Sequence, residues 1–536
     1  MSKAKKVLCT VLACGMAFSA TACGGEVVQT TPDDKPSILF QYYLAGYGED
    51  LMNAMVDRFN EKAKAGEYDF YVKAFGDANI GVSLSNAMKY GSNLPDVTYV
   101  NSINPISSMM LGNDTYADLS DVYESTITID GKQTKLKDAM DDFMLARNTY
   151  NGKIPTITTT TGMWGYVYNK ELFAEYDLEI PKTMAEMSEL LDTIDGLSVN
   201  NDLNKNNDLY GVVYPSAVIS SWDQVLYTHM AQYLGREGWF DVVECDYSVD
   251  TVASELEAVR YAYENSMKNM QRFNMADHDF SLKTATTHTN ALAVFSQGTS
   301  FMTLCGEWTY NETKPINSSF VDKMGMIPIP LACDENGLVN AKATPSSEIT
   351  ADNERMYTKI EKEKVSPSVI PESDLNSEYI YFKNYASSNA GEVNWLVPEK
   401  AQYVEYGKEF LKFVFSDEGL KLQSQYNYYT HSLLKGYETD SEVYESLPGF
   451  AKDCMAYISN SEPVFINKYT TKARTYNIVS EFMGVSTDFR LQLLKTNDKT
   501  IANTETNKII ARLTNITAEK EDKVSAYELA QKTQNG

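Results

Sequence analysis

Asp202, Asn204, Asn206 and Asp208 occupy alternate positions in one short polar stretch. That is the oxygen-ligand pattern of a calcium loop, because a hard cation takes about six to eight oxygens from a tightly turned segment. The stretch departs from the pattern: Asn207 stands where a glycine makes the sharp turn, Tyr210 where a ninth-position ligand would fall, and no Glu follows at the twelfth. Asn- and Asp-rich segments also form turns without an ion. A structural Ca2+ is the ion these residues suggest, and nothing else in the chain calls for a cofactor. The four histidines, His229, His278, His288 and His431, are too dispersed for a zinc motif, and Asp277-His278-Asp279 fits a solvated loop. G-x-S-x-G, G-x-x-x-x-G-K-[ST] and G-x-G-x-x-G are all missing, so nucleophile-elbow and phosphate-loop chemistry lack support. Two glycosidase carboxylates could come from anywhere among the 73 acids, which keeps a surface glycoside-active enzyme as an alternative. Five tryptophans and 36 tyrosines supply rings with a polar tip, suited to a ligand that has both apolar faces and hydroxyls.

The elements that carry these residues belong to a chain of 536 residues, 43% hydrophobic and 22% charged, with a mean hydropathy of -0.35. Such a composition describes a globular protein, and the length exceeds what one core fills, so two lobes are expected. The formal charge of -26 and the lack of a basic run exclude a nucleic-acid surface. At the amino end, Lys3, Lys5 and Lys6 precede an apolar stretch, Val7 to Ala20, that is too short to span a bilayer and has the form of an export signal. It runs into Ala20-Thr21-Ala22-Cys23-Gly24-Gly25, which resembles the lipobox of a bacterial lipoprotein, with Ala20 in place of the usual Leu. The resemblance implies cleavage before Cys23 and lipidation of its sulfur, palmitate included; an ordinary signal peptidase site at Ala-x-Ala is the alternative. Residues 1–22 would be the signal peptide and 23–36 a flexible tether, and losing three lysines would take the charge to -29. The expected location is the outer face of the cell membrane, held through the lipid alone, with the protein a monomer. Cys245, Cys305, Cys333 and Cys454 show no close spacing, so neither a zinc site nor a disulfide framework is expected.

Ile38 to Tyr43 is a β-prone run. Leu51, Met52, Met55, Val56 and Phe59 then fall on one helical face that ends by Gly66. Phe70 to Lys73 is the next strand, a helix through Met88 stops at Gly91, and Leu94 to Val100 begins a third strand behind Pro95. Strand, helix, strand, helix, strand predicts an α/β lobe with a mainly parallel sheet. Ligands of such sheets sit beyond the carboxyl ends of the strands, where Tyr42, Tyr43, Asn101 and Ser102 fall.

Seven segments then stand out: Tyr90-Gly91-Ser92-Asn93-Leu94-Pro95-Asp96-Val97, Gly152-Lys153-Ile154-Pro155, Tyr166-Val167-Tyr168-Asn169-Lys170-Glu171-Leu172-Phe173, Ile180 to Glu186, Phe295 to Trp308, Met326 to Pro330, and Phe410 to Glu418. Over about 330 residues they resemble, in the family's order, segments of the family 1 extracellular solute-binding proteins, the receptors of ABC importers for sugars. The stretch from Asp334 to Glu378 and the last hundred residues match no segment of that pattern.

The resemblance implies an α/β, two-lobe, periplasmic-binding-protein-like fold with hinge crossovers and a cleft between the lobes. Mapped segment by segment, 37–160 plus 329–425 would form lobe 1, and 161–328 plus 426–536 lobe 2. The Lys-, Glu- and Ser-rich residues 351–378 lack apolar periodicity and suggest a surface insertion. The implied ligand is a carbohydrate, in an extended cleft an oligosaccharide, with an ABC permease as partner and no catalysis; a peptide or other polar solute is the competing ligand. Trp308 aligns with the family's cleft Trp, and Trp222 lies where such receptors often place another. Trp164 and Trp395 are further stacking candidates, whereas Trp239 fits packing. Tyr43, Asp223 and Glu307 are the expected polar partners, Glu307 standing where the family has a small residue.

Overall fold

The computed structural model describes residues 35–44, 49–91, 94–100, 115–149, 152–158, 160–200, 209–213, 215, 220–244, 247, 252–271, 287–342, 357–388, 394–426, 431–465 and, near the carboxyl end, 500, 503–511, 513–515 and 517. The leader, residues 23–34 of the expected tether with Cys23, Asn101 and Ser102, Cys245, and Asp202, Asn204, Asn206 and Asp208 all lie outside them, whereas Lys35, at the end of that tether, is fixed to the first lobe by donating to the Ala63 and Tyr68 carbonyls at 2.7 and 3.0 Å.

The chain opens as the apolar spacing predicts. Strand β1 (Ser37–Tyr43) leads to helix α1 (Asp50–Lys64), which buries Leu51, Met52, Met55, Val56, Phe59 and Ala63 on one face. Strand β2 (Tyr71–Asp77) follows, then α2 (Ile80–Tyr90), which Gly91 ends in the left-handed conformation (φ 65°) while donating its N–H to the Ala87 carbonyl. A side chain at that φ would be strained, which is why the helix stops there. Strand β3 (Val97–Val100) lies beside β1, parallel to it as β2 is on the other side. The chain then crosses through β4 (Thr160–Thr161) into β5 (Trp164–Asn169), β6 (Tyr210–Val213), the long helix α3 (Ser220–Glu244), β7 (Ser300–Gly306) and β8 (Met324–Ile327). A hairpin of β9 (Tyr357–Glu361) and β10 (Tyr379–Lys383) follows, before β11 (Asn394–Leu396), α4 (Val404–Val414), β12 (His431–Ser432) and α5 (Gly449–Ser459).

Two four-stranded sheets result, ordered β11-β3-β1-β2 and β8-β5-β7-β6. In the first, β11 is antiparallel to β3; in the second, β7 runs parallel to β6 and antiparallel to β5. Each sheet has its own core. Phe40, Phe59, Trp395, Phe410 and Phe415 centre the first, Phe40 stacking on Trp395 at 5.4 Å and Phe59 meeting Phe410 edge-on at 5.2 Å. Tyr166, Tyr227, Trp239 and Phe301 centre the second. At about 1.5–3 kcal/mol for each large apolar side chain removed from water, either cluster can hold a lobe. Between them β4 pairs with β12, Thr161 opposite His431, so the first crossing is tied to a segment that comes just before the last one.

The lobes divide the chain differently from the motif map. Ile329, Leu331, Cys333, Val339 and Ala341 belong to the second core, and the Pro330 carbonyl accepts the His229 Nε2 hydrogen bond at 3.1 Å. The insertion at 351–378 is in part structural: Ile360 and Val365 are buried in that same core, as are Ile380 and Phe382 just beyond it. The chain therefore still packs in the second core at Tyr385 and is back in the first at Trp395, rather than returning at 329. Leu433 and Leu434 pack in the first core, with the Leu433 carbonyl accepting the Asp141 N–H, so the final crossing follows them rather than preceding 426. Apolar spacing specifies that a face is buried and carries no information about which of two cores receives it.

Candidate functional site

The carboxyl end of β7 delivers Gly306, Glu307 and Trp308 to the seam between the lobes. Trp308 is half-buried and packs against residues of both main cores and of a third cluster around Phe295 and Tyr457. Trp164 begins β5 directly opposite Gly306 in the antiparallel register and meets Trp308 edge to face, with centroids 4.8 Å apart and planes at 83°. Such pairs add about 0.5–1.5 kcal/mol beyond burial, so Trp164 braces the Trp308 ring. Trp164 itself is 8% exposed, and its indole N–H has no hydrogen-bond partner among the described residues. The Tyr457 hydroxyl donates to the Trp164 carbonyl at 3.1 Å, pinning the strand to α5.

Glu307 is fully buried, and its carboxylate accepts the Met163 N–H at 2.7 Å. A methyl group at Gly162 would collide with that carboxylate, and one at Gly306 would collide with the Trp308 ring. The close approach thus depends on two glycines, and Glu307 fastens the hinge segment entering β5. Its burial has no counterpart in the sequence pattern; Gly162 is the signal that could have found it.

The remaining expected residues fall elsewhere around the junction. Tyr43 ends β1, half-buried against Ile80, Leu84 and Val100. Asp223 is buried in the first turn of α3; Trp222 precedes it in that helix, and its side chain lies outside the described residues. Trp395 sits inside the first core, edge-on to Tyr99 at 4.6 Å, with its backbone exchanging hydrogen bonds with Ile157 beside the first crossing. The structure therefore joins Trp164, Glu307 and Trp308 and sets Trp395 within packing.

Two residues at the seam carry no motif. Helix α3 kinks at Gly235 (φ 75°), and the next residue, Arg236, lies with its guanidinium 5.2 Å from the Phe240 ring centroid. Arg236 donates to Glu462 at 3.2 Å and comes within 3.7 Å of Asp141, which caps the helix Asp142–Asn148 of the first lobe. Phe240 packs against both cores. Among the described residues, no group of three or more His, Cys, Asp or Glu could hold a metal, and no helix is long and apolar enough to cross a membrane.

Solved structures share this fold. RafE in complex with raffinose is 14% identical and superposes with a TM-score of 0.53, covering 89% of this chain and 99% of its own; apo RafE from Streptococcus pneumoniae gives 0.55 at 14% identity, covering 91% and 99%. The maltose/maltodextrin-binding domain MalE from Bdellovibrio bacteriovorus, bound to maltotriose, gives 0.50 at 14% identity over 90% of this chain and 99% of that one. A chitin oligosaccharide binding protein gives 0.53 at 13% over 90% and 100%. No curated protein matches the sequence. The profile that does match spans residues 54–452, and the chain belongs to the family it describes, the bacterial extracellular solute-binding proteins.

Proposed function

We propose that the chain is the binding protein of an ABC importer, tethered outside the cell through lipid on Cys23, which captures a carbohydrate between its lobes and delivers it to a permease. The observation that carries this reading is the Trp308 indole, braced edge-on by Trp164 at the seam of the two cores. A sugar presents C–H faces that stack on such a ring and hydroxyls that need amides, carboxylates or an indole N–H. The ligands named for RafE, MalE and the chitin oligosaccharide binding protein support an oligosaccharide, as does the room that a chain of this length has for an extended cleft. No step of bond breaking belongs to this function: the lobes close, hold and release.

The test is a thermal-shift screen of the chain lacking its leader, against oligosaccharides, peptides and calcium. A ligand at a hundred times its Kd adds about 2.7 kcal/mol of stability. A shift with an oligosaccharide recovered intact, lost in Trp308→Ala, is the expected result. Shifts with peptides alone would overturn the ligand class, and cleavage of the sugar would make the chain an enzyme. A shift with calcium, reversed by chelation, is expected if Asp202, Asn204, Asn206 and Asp208 bind the ion.

A further inference from the structure

Lobe 2 carries a pocket of about 650 Å³ between the edge strand β8, the hairpin β9–β10 and helix α5. Tyr168, Tyr357, Tyr381, Asn384 and Tyr457 line it, and every wall belongs to that one lobe, so its shape does not depend on closure. Asn384 is only 6% exposed, and its side-chain amide makes no hydrogen bond to any described residue. Its backbone is held, the carbonyl accepting the Glu462 N–H at 2.8 Å. An amide that no side chain of the protein engages is open to pair with a ligand that enters the pocket.

The charged groups around the pocket are already engaged. Asp453 pairs with Lys170 at 2.7 Å, and the Lys359 ammonium lies 5.2 and 5.4 Å from the ring centroids of Tyr379 and Tyr381. Burial and the nearby Asp453 push the Tyr168 hydroxyl up, which keeps it a neutral donor and acceptor. What remains for a ligand is a set of tyrosine faces and one neutral amide with both donors and an acceptor. A charged ligand finds no free partner among these groups, whereas a pyranose finds a face to stack on and a group for its hydroxyls.

We infer that this pocket is a second carbohydrate subsite, separate from the seam between the lobes and sized for one or two sugar rings. It rests on the carbohydrate reading for the class of ligand and not on Trp308 for the binding.

Hydroxyl-radical footprinting of the folded chain, with raffinose, maltotriose or chitotriose as probe, tests it. Labelling of Tyr357 and Tyr381 should fall in wild type and equally in Trp308→Ala, while Tyr90, 68% exposed on the other lobe, should not change. Tyr381→Ser, or the near-isosteric Asn384→Asp, should weaken that protection by about three- to tenfold and leave the Trp308-dependent thermal shift intact. Unchanged labelling of both tyrosines at saturating sugar overturns the subsite, as does protection that vanishes in Trp308→Ala. Protection lost only in the pocket variants, with Trp308→Ala silent, overturns the cleft and leaves the subsite standing. Failure of every sugar at both places overturns both.

Discussion

One glycine decides where the indole pair can stand. Because a Cβ at 306 would occupy the space of the Trp308 ring, Gly306→Ala should displace that ring without deleting it. Sugar affinity is expected to fall by about tenfold or more, with the unfolding midpoint little changed, since a half-buried ring can turn outward; titration calorimetry beside a melting curve separates the two. His229 makes a different kind of statement. Burial pushes its imidazole down from 6.5 to about 4, and its one hydrogen bond, to the Pro330 carbonyl, offsets this only in part. As pH falls through 6.5 the unfolded chain takes up a proton that the folded chain refuses until about 4. Stability is thus complete above 6.5 and is lost progressively down to about 4, by up to about 3 kcal/mol in all. His229→Gln keeps an N–H for Pro330 and removes the titration, so urea unfolding across that window should show a shallower slope in the variant.

At the scale of elements, the kink in α3 places Arg236 between a carboxylate of its own lobe, Glu462, and one of the other, Asp141. A partly exposed pair of this kind is worth about 0–1 kcal/mol, enough to shift an equilibrium between open and closed lobes by up to about fivefold. Arg236→Met should enlarge the radius of gyration of the unliganded chain in small-angle scattering; an unchanged radius would remove the bridge from any part in closure. The same elements show how far sequence reasoning reaches. Leu51, Met55 and Phe59, four residues apart, announce α1, and Gly91 marks the end of α2, because helical spacing and a left-handed φ are local properties. The hairpin β9–β10 leaves no such local mark: Ile360 is a lone apolar residue between Lys359 and Glu361, and only the strand it pairs with shows that it is buried. Trp308 was legible from its motif, whereas the burial of Glu307 follows from Gly162, far away in sequence. Trp395 has the composition of a stacking residue and the surroundings of a core residue, and spacing does not separate those.

For the molecule as a whole, the formal charge of -26 separates ligand classes. Capture of a neutral oligosaccharide should be nearly independent of ionic strength, its Kd changing less than about twofold between roughly 0.05 and 0.5 M salt, while a cationic solute would weaken steeply. Calorimetry at two salt concentrations distinguishes them. The first lobe also has a history written in its connectivity. Its edge strand β11 lies against β3, Leu396 opposite Thr98, with the whole second sheet inserted between them along the chain. Closing so long a loop adds little free energy, since each doubling of its length costs only about 0.6 kcal/mol, but such pairings form late. A chain emerging amino end first can complete the second sheet before the first has its edge, and Phe40 must wait for Trp395 to cover it. During that interval the first lobe exposes apolar surface, so the time the nascent chain spends between the two events governs how much of it is open to aggregation, proteolysis or chaperone capture.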